Sequence, residues 1–139
     1  MKTNKINSKE CNSQYMHHRC TSSYYKYLFD FLLTDGTLDV AKNEMCFWFF
    51  DIIVAAQLLP RVRKNEFQTW FLKRTNETEF IVLGTNGNYV EDISSYPGLT
   101  EEENKLKIIY KHEIPFSDFR YDSLKVFLAD KVIYLPSEH

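Results

Sequence analysis

A chain of 139 residues has room for one domain with a single core, large enough to fold without disulfide or metal staples. The composition, 44% hydrophobic, 26% charged and 16% aromatic with only four glycines and four prolines, is that of a folded protein and excludes a long linker. A net charge of −2 excludes a surface that is basic throughout, so any contact with nucleic acid or membrane has to come from a local patch.

Residues 1–20, polar and aperiodic, read as a flexible basic tail. They carry Lys and Asn where a secretory signal needs an apolar stretch. Thr21, Ser22 and Ser23 offer N-cap oxygens in front of YYKYLFDFLL, in which Tyr24, Leu28, Phe31 and Leu32 have the spacing of a buried helical face. The turn Thr34-Asp35-Gly36 stops that helix and caps a short second one, TLDVAK. Asn43 caps a third helix from Glu44 to Leu59, with Glu44 against its N-terminal dipole, and Pro60 ends it. The apolar run Met45 to Leu59 is shorter than the roughly 20 residues that span a bilayer, and Asp51 and Gln57 interrupt it.

From Pro60 onward the hydrophobic period changes to two. EFQTWFLKR sets Phe67, Thr69 and Phe71 on one face of a strand and Gln68, Trp70 and Leu72 on the other. EFIVLG is a second strand, followed by an Asn-Gly turn signal and by YVEDI as a continuation of the hairpin. SSYPGLTEEEN reads as a loop in which Thr100 and Glu103 have the spacing of a capping box. LKIIYKHEI is another strand, and DSLKVFLA and VIYLP close the chain as a hairpin turning at Asp130-Lys131. Helices first and strands afterwards predict an α+β fold: two to three N-terminal helices packed on a four- to five-stranded antiparallel sheet, one domain over residues 21–139. Three cysteines, Cys11, Cys20 and Cys46, are an odd number, which reads as reduced thiols in a cytoplasm.

Asp51 interrupts the longest apolar run, among Phe47, Trp48, Val54, Ala55 and Leu58 at helical spacing. A carboxylate buried alone is costly, so a buried polar network is expected, with Arg61, Arg63, His112, Arg120 and tyrosine hydroxyls as available partners. The sharper alternative makes Asp51 the acid of a pocket. Arg61, Arg63, Lys64, Lys73 and Arg74 put five positive charges in fourteen residues. Interleaved with Phe67, Trp70 and Phe71, they suit stacking on single-stranded RNA; the plainer reading is a solvated rim. Cys11, His17, His18 and Cys20 have a spacing that matches no closed zinc site, so no metal and no cofactor is expected. The sequence contains no G-x-S-x-G, P-loop or H-E-x-x-H, which argues against catalysis. The aromatic surplus argues for binding: Trp70, Tyr89, Tyr96, Tyr110 or Tyr121, left uncovered, would form an interface patch unless the inserted loop or a second copy of the chain covers it.

LTDGTLDVA, FWFFDIIVAAQ, EFQTWFLKR, IPFSDF and VIYLPSEH, in that order, resemble a small uncharacterised bacterial family, a domain of unknown function carried on chromosomes, plasmids and phage-like elements. The resemblance covers residues 24–139 and places two of the family's aspartates at Asp51 and Asp118, the latter as a second member of the polar network. The chain departs from the family at Asp130-Lys131, where the family turns on Asn-Gly, at Ser117, where it has Thr, at residues 89–104, which read as an insertion, and at His139, where it ends on an aromatic. The resemblance implies a fold and a mobile-element context, without catalytic residues. On that context the expectation is a non-enzymatic interaction protein in a bacterial host cell, an anti-CRISPR-type inhibitor of an RNA-guided nuclease or its guide complex. Arg61, Arg63, Lys64, Trp70, Lys73 and Arg74 are its expected partner-binding residues. The alternatives are RNA or DNA binding through residues 61–74 and an enzyme using Asp51.

Overall fold

The segment with the clearest helical spacing near the N-terminus is a β-hairpin. In the computed structural model, which describes residues 10–89 and 106–139, Tyr24–Lys26 forms β1 and Leu32–Thr34 forms β2, paired antiparallel. A 3₁₀ turn, Leu28–Asp30, joins them, with Phe29 and Asp30 in the left-handed region at φ 52° and 67°. Pairing outweighs local spacing here: β2 lies parallel to β7, Val132–Tyr134, with Leu32 opposite Val132 and Leu33 opposite Ile133.

Helix α1, Asp35–Asn43, starts where the Thr34-Asp35-Gly36 signal puts it. Thr34 Oγ1 accepts from the Thr37 amide at 3.3 Å while Thr37 Oγ1 accepts from the Thr34 amide at 2.9 Å, a reciprocal cap. The carboxylate of Glu138 closes the same helix end from the far end of the sequence. It accepts from Thr34 Oγ1 at 2.7 Å, from the Gly36 amide at 3.0 Å and from the Leu135 amide at 2.9 Å. A β-carbon at position 36 would stand 2.7 Å from Glu138 Oε1, so only glycine admits that carboxylate.

The third expected helix is cut at both ends. Met45, at φ 54°, breaks the chain before α2, Phe47–Ala56. Pro60 stops α2 and also opens a short helix, α3, Pro60–Arg63, at a first-turn position where its missing N–H costs nothing. No described helix is long and apolar enough to cross a membrane.

The remaining strands are β3, Phe67–Arg74, β4, Phe80–Tyr89, β5, Leu106–Ile114, and β6, Ser123–Ala129. The turn expected at Asn86-Gly87 is not made, because β4 runs on through that pair and takes it up in register shifts against β5. Among the described residues the sheet has seven strands in the order β1-β2-β7-β6-β3-β4-β5, antiparallel except for β2 and β7. The α+β architecture is as expected. The strand count exceeds the expected four or five because the predicted first helix supplies two of them.

Trp70 and Leu72 of β3 join Phe49, Phe50, Ile53 and Val54 of α2 in the main core. Gly84, opposite Trp70 on β4, leaves room for the indole, which would lie 2.7 Å from a β-carbon there. Phe71, Ile81 and Leu83 form a smaller cluster on the reverse face. The flexible tail expected to run to residue 20 is already packed by Cys11–Tyr15, a 3₁₀ turn whose Cys11 and Tyr15 are buried. Its Asn12 side chain donates to the Lys125 carbonyl and accepts from the Lys125 amide, both at 2.8 Å, covering β6 beyond the reach of β7. The YVEDI continuation past Tyr89, the Thr100–Glu103 capping box and Tyr96 lie outside the described residues.

Candidate binding cleft

A cleft of about 730 Å³ opens at one end of the sheet, between the β1–β2 turn, the C-terminus of α2, the start of β3 and the β6–β7 turn. Phe29, Leu58 and Phe67 form its rim, 63%, 63% and 37% exposed. Arg63, Glu66, Asp130 and Lys131 add two charges of each sign. Val54 and Leu128 line the interior together with two buried amides, Gln57 and Gln68.

Those amides form the buried polar network of the fold. Gln57 Nε2 donates to Gln68 Oε1 at 2.8 Å and Gln68 Nε2 returns a bond to Gln57 Oε1 at 3.0 Å. The carbonyls of Ile53, Val62 and Asn65 accept from the same two amide groups, and the Trp70 indole N–H donates to Gln68 Oε1 at 2.9 Å. The amide donors are therefore satisfied within the protein, which makes this wall rigid.

Both turns flanking the cleft are left-handed. Asp130 and Lys131 stand at φ 53° and 65°, which is the turn an Asn-Gly pair favours. Lys131 Nζ lies 5.4 Å from the centre of the Phe31 ring.

The expected polar network at Asp51 and Asp118 is not found: both residues are exposed. Asp51 shares the solvent face of α2 with Ala55 and Leu58, while Phe50, Ile53, Val54 and Gln57 face inward. The helix is apolar nearly all round, so periodicity gave its neighbours correctly but not which face is buried. The Tyr27 hydroxyl donates to Asp51. Burial, and then this carboxylate, push the Tyr27 phenol above its usual range. Asp51 lines neither this cleft nor the hollow beside α3.

The expected partner-binding set also divides. Trp70 has no accessible surface, because it points into the core from a central strand. Lys73 is buried on the reverse face, its ammonium 5.4 Å from the centre of the Phe71 ring. Arg74 is held at the far end of β3: it donates to Asp122 at 2.8 Å and to the carbonyls of Phe119 and Tyr121, with its guanidinium 4.6 Å above the Phe80 ring. None of these three is available to a partner.

Arg61, Arg63 and Lys64 remain exposed, on and just after α3. Arg63 lines the main cleft and donates to the Gln57 carbonyl at 3.1 Å. Arg61 and Lys64 line a separate hollow of about 250 Å³ with Asn65, Asn86, Lys107 and Ile108, where Arg61 donates to the Ile109 carbonyl at 2.7 Å. Among the rings expected at the surface, Tyr121 is buried and Tyr110 half-buried. Away from the cleft, His17, His18 and Asp39 bring three metal-ligating atoms within 4.8 Å of one another.

A family model of unknown function matches residues 9–139, nearly the whole chain. The chain belongs to that family, DUF6876. No curated protein and no solved structure matches it. In this DUF6876 chain the T-D-G and L-P-S-E blocks that carry the resemblance meet in space, through Glu138 on Thr34 and Gly36. The W-F-F-D block supplies α2 and F-Q-T-W the amide-to-indole bond beneath the cleft. These strings maintain the fold. The cleft's exposed rim lies mostly outside them, at Phe29, Leu58 and Asp130-Lys131, where composition alone gives no signal; Gln57 and Gln68, two amides in apolar surroundings, are the one clue that points there.

Proposed function

We propose that the protein acts by binding another protein, and that the cleft between α2, β3 and the two left-handed turns receives an apolar segment of that partner. The observation that carries this is the clustering of exposed Phe29, Leu58 and Phe67 around one concave opening, with Leu28 and Leu59 exposed beside them. The rigid amide network below and the balanced charges on the rim suit a docked hydrophobic anchor with polar contacts at its edge. Proteins captured by the wild type and by Leu58→Asp and Phe29→Asp test it, with Phe116→Asp as the control for an exposed ring outside the cleft. A partner retained by the control and lost with both cleft variants supports the reading; an identical captured set for all four proteins removes it.

In its sharper form the partner is a host-defence nuclease guided by RNA and the protein is its inhibitor, carried by a mobile element. That identity rests on the resemblance described above, not on the chemistry of the cleft. Undiminished cleavage by such nucleases in the presence of excess protein ends it.

The hollow beneath α3 supports a second reading, contact with RNA or DNA phosphates. Among the described residues its lining has three cations, Arg61, Lys64 and Lys107, and no carboxylate. Gel-shift affinity that falls steeply with salt and weakens in Lys64→Ala supports it; no shift at low salt removes it.

A further inference from the structure

His17 and His18 are neighbours in sequence, yet both imidazoles face one carboxylate. They follow the 3₁₀ turn Cys11–Tyr15, their ring centres are 4.3 Å apart and the planes are inclined by 38°. His18 Nε2 lies 2.9 Å from Asp39 Oδ2, and His17 Nε2 lies 4.0 Å from the same oxygen. Asn43 Nδ2 donates to the other oxygen, Asp39 Oδ1, at 2.7 Å. That bond, made one turn along α1, holds the carboxylate with Oδ2 toward the two rings.

A hydrogen bond accounts for His18 but not for His17, whose 4.0 Å separation is beyond hydrogen-bond reach. A single cation placed between the three atoms satisfies both rings. Ligand distances of about 2.0–2.1 Å in a tetrahedral site put the donor atoms roughly 3.3 Å apart. The two separations to Asp39, 2.9 and 4.0 Å, fall on either side of that value, and all three donor atoms lie within 4.8 Å of one another, so binding draws them together. The side chain of His17 is 67% exposed, so it can rotate by the small amount needed without disturbing the core. Two imidazole nitrogens and one carboxylate oxygen suit first-row transition cations, whereas Mg²⁺ and Ca²⁺ require oxygen ligands. The spacing of ligands along the N-terminal segment gives no hint of this set, because Asp39 comes from α1, 21 residues beyond His18.

We propose that His17, His18 and Asp39 form a binding site for a divalent transition cation, with Zn²⁺ the closest chemical match, Asn43 orienting the carboxylate and one coordination position left for water. The ion ties the N-terminal segment to α1.

The test is calorimetric titration of Zn²⁺ into tag-free protein stripped with chelator, alongside Co²⁺ titration read by visible absorption. Wild type should bind one equivalent, and Zn²⁺ should raise its melting temperature. His17→Gln, at an exposed position, and His18→Gln should each lose at least tenfold in affinity and lose the thermal shift. Asn43→Ala should lose tenfold or more through the freed carboxylate. Cys20→Ser, which removes the exposed thiol, should bind as wild type. Absence of binding by the wild type, wild-type affinity in His17→Gln or His18→Gln, or loss of binding on Cys20→Ser overturns the assignment. Circular dichroism of the metal-free variants distinguishes a lost ligand from a lost fold, and the measurement is independent of the cleft.

Discussion

Glu44 shows how one side chain ties a segment to the fold. Its side chain is only 2% exposed. Arg120 holds it with two bonds, Nε to Oε1 at 2.8 Å and Nη2 to Oε2 at 2.9 Å, and the Tyr15 hydroxyl adds a third at 2.6 Å. The guanidinium holds the Glu44 carboxyl below its usual range, against the opposing effect of burial. A depressed carboxyl contributes stability that is complete above the unfolded-state value, near 4.3, and is lost as pH falls through the folded-state value. Glu44→Gln is expected to cost about 2 kcal/mol at pH 7 in urea unfolding. Its deficit against the wild type should shrink below pH 4, because only the wild type loses an ionised carboxylate there. The thiols give a second residue-scale expectation. Burial pushes Cys46 up to about 12 and Cys11 higher still, while Cys20 is exposed. A thiol reagent at pH 8 should therefore label Cys20 alone in the native protein, with Cys11 and Cys46 reacting only in denaturant. At this scale the sequence is a partial guide: Gln68 and Trp70 share a face as period two requires, but no local pattern shows that Asp51 faces solvent.

Elements whose register is set by alternation were readable, and elements whose form depends on distant pairing were not. β6 alternates buried and half-buried residues along its length, β3 is buried on both faces as a central strand, and the Thr34-Asp35-Gly36 signal marks the start of α1. Tyr24, Leu28, Phe31 and Leu32 have helical spacing, yet that segment becomes β1 and β2 because β7, about a hundred residues away, offers β2 an edge to pair with. The β6–β7 turn carries its own test. Two non-glycine residues at positive φ each bear a backbone cost that Asn and Gly reduce. Replacing Asp130-Lys131 by Asn-Gly should add about 1 kcal/mol net of the lost Lys131–Phe31 contact, read as a higher urea midpoint at unchanged slope. On β4, Gly84→Ala should cost about 1–3 kcal/mol, because a methyl group there collides with the Trp70 ring of β3. A shift in tryptophan fluorescence would accompany that loss.

For the molecule as a whole, α+β class and a largely antiparallel sheet follow from composition and period, whereas the cleft does not. It is assembled from two turns, a helix end and a strand start that are far apart in sequence, so no window of residues announces it. The same topology has a kinetic consequence. Thr34 and Glu138 are separated by 104 positions, and β2 meets β7 across a similar span. Closing so large a loop costs conformational entropy that the contacts at its two ends must offset. The Glu138 carboxylate thus acts as a late-closing clasp: Glu138→Ala is expected to accelerate unfolding in stopped-flow experiments while leaving the folding rate nearly unchanged. Loosening this clasp then shortens the lifetime of the finished protein, not the time taken to reach it.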